Sequence, residues 1–392
     1  MAAAGHILCR VASLAVALLL GACAGLPPPV PSPPTQALTD VAGTALARSV
    51  ATAASGQPEA QSGFRLLPEA AFAFDARIAL ARRAEKSLDL QYYVWHSDGL
   101  GLLLLREVRD AARRGVRVRL LLDDLYTGGQ DELLAALARE PNVEVRLFNP
   151  LPSRAEGLLP RIALSLHAFN RINHRMHNKQ FIADNSLSVT GGRNIADEYF
   201  MQGGSANFLD MDVLASGPVV RQQSDAFDRY WNSPHVRPVA QVVRAMPEFA
   251  DAGQRFDALT IAAARAAPTP RERDVLGRTP VSRQLADGRL QLRYAAAQVF
   301  VDDPDKIVRT TPETRFAGSV TESTTGVIGT ARESVMIVSP YFIPGAPGMA
   351  QMKAASENGV RGVIVTNSLG ATDEPLVYVG YARYREEMLR LG

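Results

Sequence analysis

A chain of 392 residues with 47% apolar composition can bury a large core and is long enough for more than one domain. A formal net charge of +2 implies no strong polyanion-binding field and argues mildly against nucleic-acid binding, so no nucleic-acid partner is expected. The six His and two Cys, Cys9 and Cys23, show no metal-ligand spacing, so neither a metal nor another cofactor is expected.

Residues 1–22 read as an export signal: His6 and Arg10 lead into the charge-free apolar run Val11 to Leu20, and small residues follow. The run is shorter than the roughly 20 residues a comfortable membrane span requires. Leu20-Gly21-Ala22-Cys23 has the pattern of a lipobox, which makes Cys23 the expected lipidation site. An ordinary signal cut near Ala24 and an uncleaved anchor are the other readings. Cys9 leaves with the signal, and acylation explains why Cys23 then has no partner. Residues 23–62 read as a Pro/Ala-rich tether, stiff over Pro27 to Pro34 and poorly ordered from 35 to 62.

From residue 63 the pattern alternates. Ser87 to Trp95 is a predicted strand, Gly101 to Arg114 a helix, Val116 to Leu122 a buried strand, Asp131 to Arg139 a helix and Val143 to Phe148 a strand. This order predicts an α/β layered sheet flanked by helices, with residues 63–235 as a first domain. Residues 150–175 read as a long loop that walls an active site, or as a helical insertion covering the sheet. Further along, Asp212 to Ser216 reads as a strand and Val219 to Trp231 as a helix. Residues 236–310 read as a connecting segment.

His177, Lys179 and Asp184 form an H-x-K-x4-D run, which Gly191, Gly192 and Asn194 extend. Period-2 alternation puts His177 and Lys179 on one face of an extended segment. Asn185-Ser186 is a plausible turn, Leu187 to Thr190 a return strand, and Gly191-Gly192 a place for close backbone approach to a ligand. The set suits phosphodiester chemistry: an imidazole to attack phosphorus, an ammonium to hold a phosphate oxygen and an amide donor. Only four lysines (Lys86, Lys179, Lys306, Lys353) stand among 42 basic residues, and one falls where a compact point charge suits phosphate. Asp210 and Asp212 are close enough to suggest metal ligands, but the preferred reading is structural, with Asp212 capping or pairing with an Arg. His174 is read as solvated.

The run resembles the HKD motif of the phospholipase D superfamily. Arg175-Met176-His177-Asn178-Lys179 with Gly191-Gly192-Arg193-Asn194-Ile195 resembles the C-type bacterial cardiolipin synthases and related phospholipase-D-like lipoproteins. Leu88 to Trp95, Arg114 to Asp124 and Val145 to Pro150 support the likeness. The resemblance implies that a motif His becomes a covalent phosphohistidine and that a second motif's His protonates the leaving alkoxide. It assigns Lys179 and Asn194, beside Gly192, to the non-bridging phosphate oxygens, and Asp184 to orienting the imidazole.

An internal repeat closes the chain. Glu85 to Trp95 is echoed by Glu333 to Phe342, and Ala112 to Arg117 by Ser356 to Arg361. Residues 311–392 therefore read as an incomplete second copy, ending in a helix from Tyr378 to Leu391. The equivalent of His177 in that copy falls beyond residue 392, and the sequence contains no second H-x-K. A fragment of a longer chain is the favoured expectation; a degenerate paralogue and a chain completed by a homodimer partner are the others. The expected function is phosphatidyl transfer on phosphatidylglycerol or phosphatidylethanolamine at a membrane surface, as in a cardiolipin synthase. A phospholipase D hydrolase, a nuclease and an inactive lipid-binding lipoprotein are the alternatives. The expected location is the bacterial cell envelope, lipid-anchored in the outer membrane and facing the periplasm.

Overall fold

The computed structural model describes residues 26, 28, 30–165, 172–243 and 251–391. Residues 1–22, expected to be an export signal, and Cys23 lie outside the described residues, as does His167. The chain divides into two units, Met1–Arg309 and Thr310–Gly392.

The first unit is built on a nine-stranded sheet in the order β8-β4-β3-β2-β5-β6-β7-β1-β9. Its parallel half is β2 (Ser87–Tyr92), β3 (Arg117–Asp123) and β4 (Val143–Phe148). Helices α3 (Gly99–Arg113) and α4 (Asp131–Leu137) make the crossovers that parallel pairing demands. All six residues of β2 are buried, as expected for a strand covered on both faces. The antiparallel half comprises β5 (Gln180–Ala183), β6 (Leu187–Gly191), β7 (Asp212–Ser216) and β1 (Ser62–Leu67). Asp184 and Asn185 turn the β5–β6 hairpin with φ of 48° and 45°. Asp and Asn tolerate this left-handed region better than other residues with side chains.

One sheet face carries α2 (Ala70–Arg83) and α3, whose Phe74, Leu104 and Leu105 pack with Leu88, Leu90 and Leu120. The other carries α6 (Pro218–Trp231), whose Phe227 and Trp231 pack with Leu121 and Ile182. Burial of such side chains stabilises by about 1.5–3 kcal/mol each. Arg119 of β3 lies within this second layer. It is ion-paired to Asp89 of β2 at 2.6 Å and to Asp228 of α6 at 2.8 Å, and sits over the Phe227 and Trp231 rings.

Two stretches are more structured than composition suggests. Within 35–62, Thr44 caps helix α1 (Ala45–Ala53), Leu46 is fully buried, and Thr35 Oγ1 accepts from Trp231 Nε1 at 2.8 Å. The Ala-rich run has high helix propensity, and the cap supplies its start. Within 236–310, β8 (Val236–Pro238) and β9 (Arg293–Ala295) add the two sheet edges, and Phe256, Val281 and Leu285 join the core.

In the second unit, β10 (Ser334–Val338) and β11 (Arg361–Val365) pair in parallel around the helix Gly345–Glu357. The strand–helix–strand order of β2-α3-β3 is thus repeated, as the sequence echo predicts.

Candidate active site

The motif is positioned by a break in the sheet. Strand β5 begins at Gln180, opposite Gln91 of β2 and Thr190 of β6. Before that point its two neighbours close on one another: Ile195 N donates to Val94 O, and His96 N donates to Ile195 O at 2.8 Å. Residues 174–179 consequently leave the ladder. The predicted strand is therefore shorter than the sequence suggests, and His177 and Lys179 stand on an extended segment beyond its end.

Alternation holds within that segment. The His177 ring lies 4.0 Å from the Tyr93 ring, tilted by 30°, and Lys179 Nζ lies 5.6 Å from the same ring centre. Asn178 lies on the other side, close enough to Tyr230 of α6 to act on its hydroxyl. Thr190 Oγ1 donates to Lys179 O at 2.9 Å, and Lys179 Nζ donates to His177 O at 2.8 Å.

Two residues at the carboxyl ends of the parallel strands fix the approach to His177. Asp123, last in β3, is fully buried; it accepts from Met176 N at 2.8 Å and from Arg175 Nε at 2.7 Å. Asn149, just past β4, donates from Nδ2 to His174 O at 2.8 Å. Sequence reasoning missed both, and Tyr93 as well. The ends of parallel strands are where α/β sheets place ligands, and that rule was the available signal.

The imidazole has a defined tautomer. His177 Nδ1 lies 3.2 Å from Arg175 O, and a carbonyl only accepts, so Nδ1 carries the hydrogen and Nε2 bears a free lone pair. Burial of the ring, and then the Lys179 charge, push the His177 pKa below its ordinary value. Burial pushes Lys179 down to about 8, against the pull of Asp210, Asp212 and Asp123. Near neutral pH the pair is therefore a neutral imidazole beside a cation.

The other predicted residues divide. The Asn194 side chain is buried; Oδ1 accepts from Val94 N at 3.1 Å and Nδ2 donates to Tyr199 Oη at 2.8 Å. Gly192 is required for a reason other than ligand approach: a Cβ there would sit 2.1 Å from the Asp210 carboxylate. Asp184 is not brought to the imidazole, and its expected orienting role is corrected. Its carboxylate is fully buried and accepts from the backbone N–H groups of Glu85 at 3.0 Å, Lys86 at 2.7 Å and Ser87 at 3.0 Å. Six residues separate it from His177, seven steps or about 23 Å along an extended chain at the usual rise per residue. Asp212 is paired with buried Arg77 at 2.9 Å, as preferred from sequence.

The 150–175 stretch contains helix α5 (Leu158–Leu164), whose buried Arg161 is ion-paired with Asp124. Its Leu151 and Ile172 pack with Leu125, Tyr93 and Tyr126. A cavity of about 470 Å³ opens beside the Gly192–Asn194 turn, lined by Pro68, Ala71, Arg193, Phe200, Phe208 and Leu209 among others. Among the described residues, His96, Asp98 and Glu198 place possible metal-ligand atoms within 4.8 Å of one another. The Asp98 oxygens, however, accept from Gly101 N and Asp197 N, which makes this carboxylate a helix cap and loop lock. No helix among the described residues is long and apolar enough to cross a membrane.

Residues 78–231 match the family model for "Cardiolipin synthase, PLD-like domain". The chain is 40% identical over 349 residues to cardiolipin synthase C of Escherichia coli K12, covering 88% of this chain and 71% of that protein. It is 27% identical over 325 residues to cardiolipin synthase 2 of Staphylococcus epidermidis, covering 81% of this chain and 53% of that one. In fold it is similar to phosphatidylserine synthase of Haemophilus influenzae, with TM-score 0.52, 14% identity, and 82% and 68% of the two chains covered. With that extent of identity to a cardiolipin synthase, and with its motif His and Lys on one ring at the end of β5, the chain belongs to the cardiolipin synthase family of phospholipase D-like phosphatidyltransferases.

Proposed function

We propose that His177 attacks the phosphorus of a membrane phospholipid and carries the phosphatidyl group to an alcohol acceptor, phosphatidylglycerol first among them. The observation that carries this reading is the His177 tautomer, which leaves Nε2 as a nucleophile beside the Lys179 ammonium. In the first step an Nε2–P bond forms and the P–O bond to the departing alcohol breaks. The alkoxide takes a proton from a second motif's His, on a second copy or on a longer chain. In the second step the acceptor hydroxyl gives its proton to that same second His, now neutral, and its oxygen forms a P–O bond as the Nε2–P bond breaks and His177 is released. Lys179 holds a non-bridging oxygen.

The test is incubation with phosphatidylglycerol vesicles followed by lipid analysis and acid-quench labelling. Cardiolipin and an acid-labile label, both lost in His177→Asn, are expected. Phosphatidic acid alone would make the enzyme a hydrolase, and a label that survives His177→Asn would move the nucleophile elsewhere.

The envelope location belongs to the same proposal: acylation at Cys23 would hold the site at the surface where its substrate lies. A Cys23→Ser chain should lose palmitate labelling and its membrane association; labelling that persists would refute it.

A further inference from the structure

The geometry points to Tyr93 as the positioning residue of the site, a rigid aromatic floor that holds the His177 imidazole and the Lys179 ammonium over one ring. This inference rests on the assignment of His177 and Lys179 as the reacting pair. Neither motif residue is held by the sheet ladder, since residues 174–179 lie outside it. Backbone contacts from Asp123 and Asn149 fix the segment's path, and each side chain makes one hydrogen bond to a carbonyl of that same segment, His177 Nδ1 to Arg175 O and Lys179 Nζ to His177 O. The ring of Tyr93 adds a restraint from outside the segment: imidazole centroid at 4.0 Å and 30°, Lys179 Nζ at 5.6 Å. A cation over an aromatic face is attracted by the ring quadrupole, and a tilted imidazole over the same face loses rotamer freedom.

Tyr93 is itself anchored. It is the first residue past β2, where alternation turns it away from buried Tyr92 and toward the motif. Its ring meets Tyr126 edge-on at 5.2 Å and 88°. Leu125, Leu151 and Ile172 pack around the pair, drawn from beyond β3, beyond β4 and the segment before the motif. Three connections thus converge on one ring, and the ring on two reacting groups. The ring also covers one side of each, with His177 otherwise exposed and Lys179 half-buried. Burial is the first cause that lowers Lys179 to about 8, and the first cause that lowers His177. The charged groups acting on His177 are Lys179, Asp123 and Arg175; those acting on Lys179 are Asp210, Asp212 and Asp123.

The test uses the full chain without phospholipid. The His177 Cε1–H resonance is assigned by its loss in His177→Gln, and its shift and titration are followed by NMR in Tyr93→Phe, Tyr93→Leu and Tyr93→Ala. Tyr93→Phe, which keeps the ring, should retain the upfield ring-current shift and the depressed titration. Tyr93→Leu should lose the ring-current shift. Tyr93→Ala should also move His177 back toward its ordinary value and Lys179 up from about 8. Folded Leu and Ala variants with unchanged shift and titration would show Tyr93 to be a bystander. Should those variants not fold, the unmutated chain decides. A nuclear Overhauser contact between His177 Cε1–H and the Tyr93 ring is expected, and its absence overturns the inference. Because no substrate is present, this outcome is independent of whether phosphatidyl transfer is ever observed.

Discussion

At the scale of single residues, the site is set by two opposed requirements on charge. In the proposed mechanism His177 must be neutral to attack, and Lys179 must be protonated to hold phosphate. Burial lowers both pKa values. For His177 the lowering widens the active range, because the imidazole stays neutral to more acidic pH. For Lys179 it narrows the range, because the ammonium is lost as pH rises through about 8. The rate of phosphatidyl transfer by the assembled enzyme should therefore follow a bell. Its acid limb should fall below the ordinary imidazole range and its basic limb near 8, as a pH profile of kcat/KM will show. Lys179→Arg should remove the basic limb and lower activity together, since a planar fork cannot replace a point charge seated on an aromatic ring. Asp123 should matter almost as much without touching substrate. Asp123→Asn weakens its charge-assisted bond to Arg175 just before the nucleophile. Misplacement by about 1 Å can cost roughly 10²-fold in rate. The loss should fall on kcat with KM little changed; an unchanged kcat would remove Asp123 from the positioning set.

At the scale of elements, the hairpin carrying the motif separates chemistry from architecture. Its open end bears His177 and Lys179, and its turn bears Asp184, which closes the entry to β2. Bonds of a charged group to buried donors contribute about 1.5–3 kcal/mol each, and not additively. Asp184→Ala should therefore destabilise the fold by about 3 kcal/mol or more, read as a lower denaturant midpoint. Whatever fraction remains folded should keep the wild-type pH profile. A shifted acid limb would instead restore Asp184 to the imidazole's surroundings.

This hairpin also shows what the sequence made legible. The α/β alternation, the β5–β6 turn and the shared face of His177 and Lys179 all follow from local periodicity, and the structure contains them. The partner of Asp184 was not legible, because seven steps of extended chain carry it out of reach, and spacing within a motif says nothing about distance in space. The same holds for Tyr93 and Asp123, which meet the motif only through the crossover of β2, β3 and β5. Gly192 was legible as a close approach, but not which group approaches, since Asp210 arrives from a loop and adjoining strand.

At the scale of the whole molecule, the two units differ in kind. The first has a core on both faces of its sheet. In the second, the paired strands leave Met336 70% and Val338 72% exposed, with Val365 at 51%. A two-stranded sheet is marginal without a covering layer, and exposed apolar edges invite pairing with another chain. Amide exchange should therefore be much faster in β10 and β11 than in β2 and β3. The chain's single H-x-K adds a functional counterpart, since a second His is needed to protonate the leaving alkoxide. General acid assistance is typically worth about 10²–10⁴-fold, so an isolated copy should turn over slowly by that factor. If association brings two motifs together, turnover per chain should rise with protein concentration over the range where sedimentation detects the dimer. Self-association through the exposed strands alone would change sedimentation and leave turnover flat. The two measurements on one sample discriminate these cases. A well-behaved monomer with rapid, concentration-independent turnover would mean that the proton comes from within this chain, with His174, three residues before the nucleophile, the first group to replace.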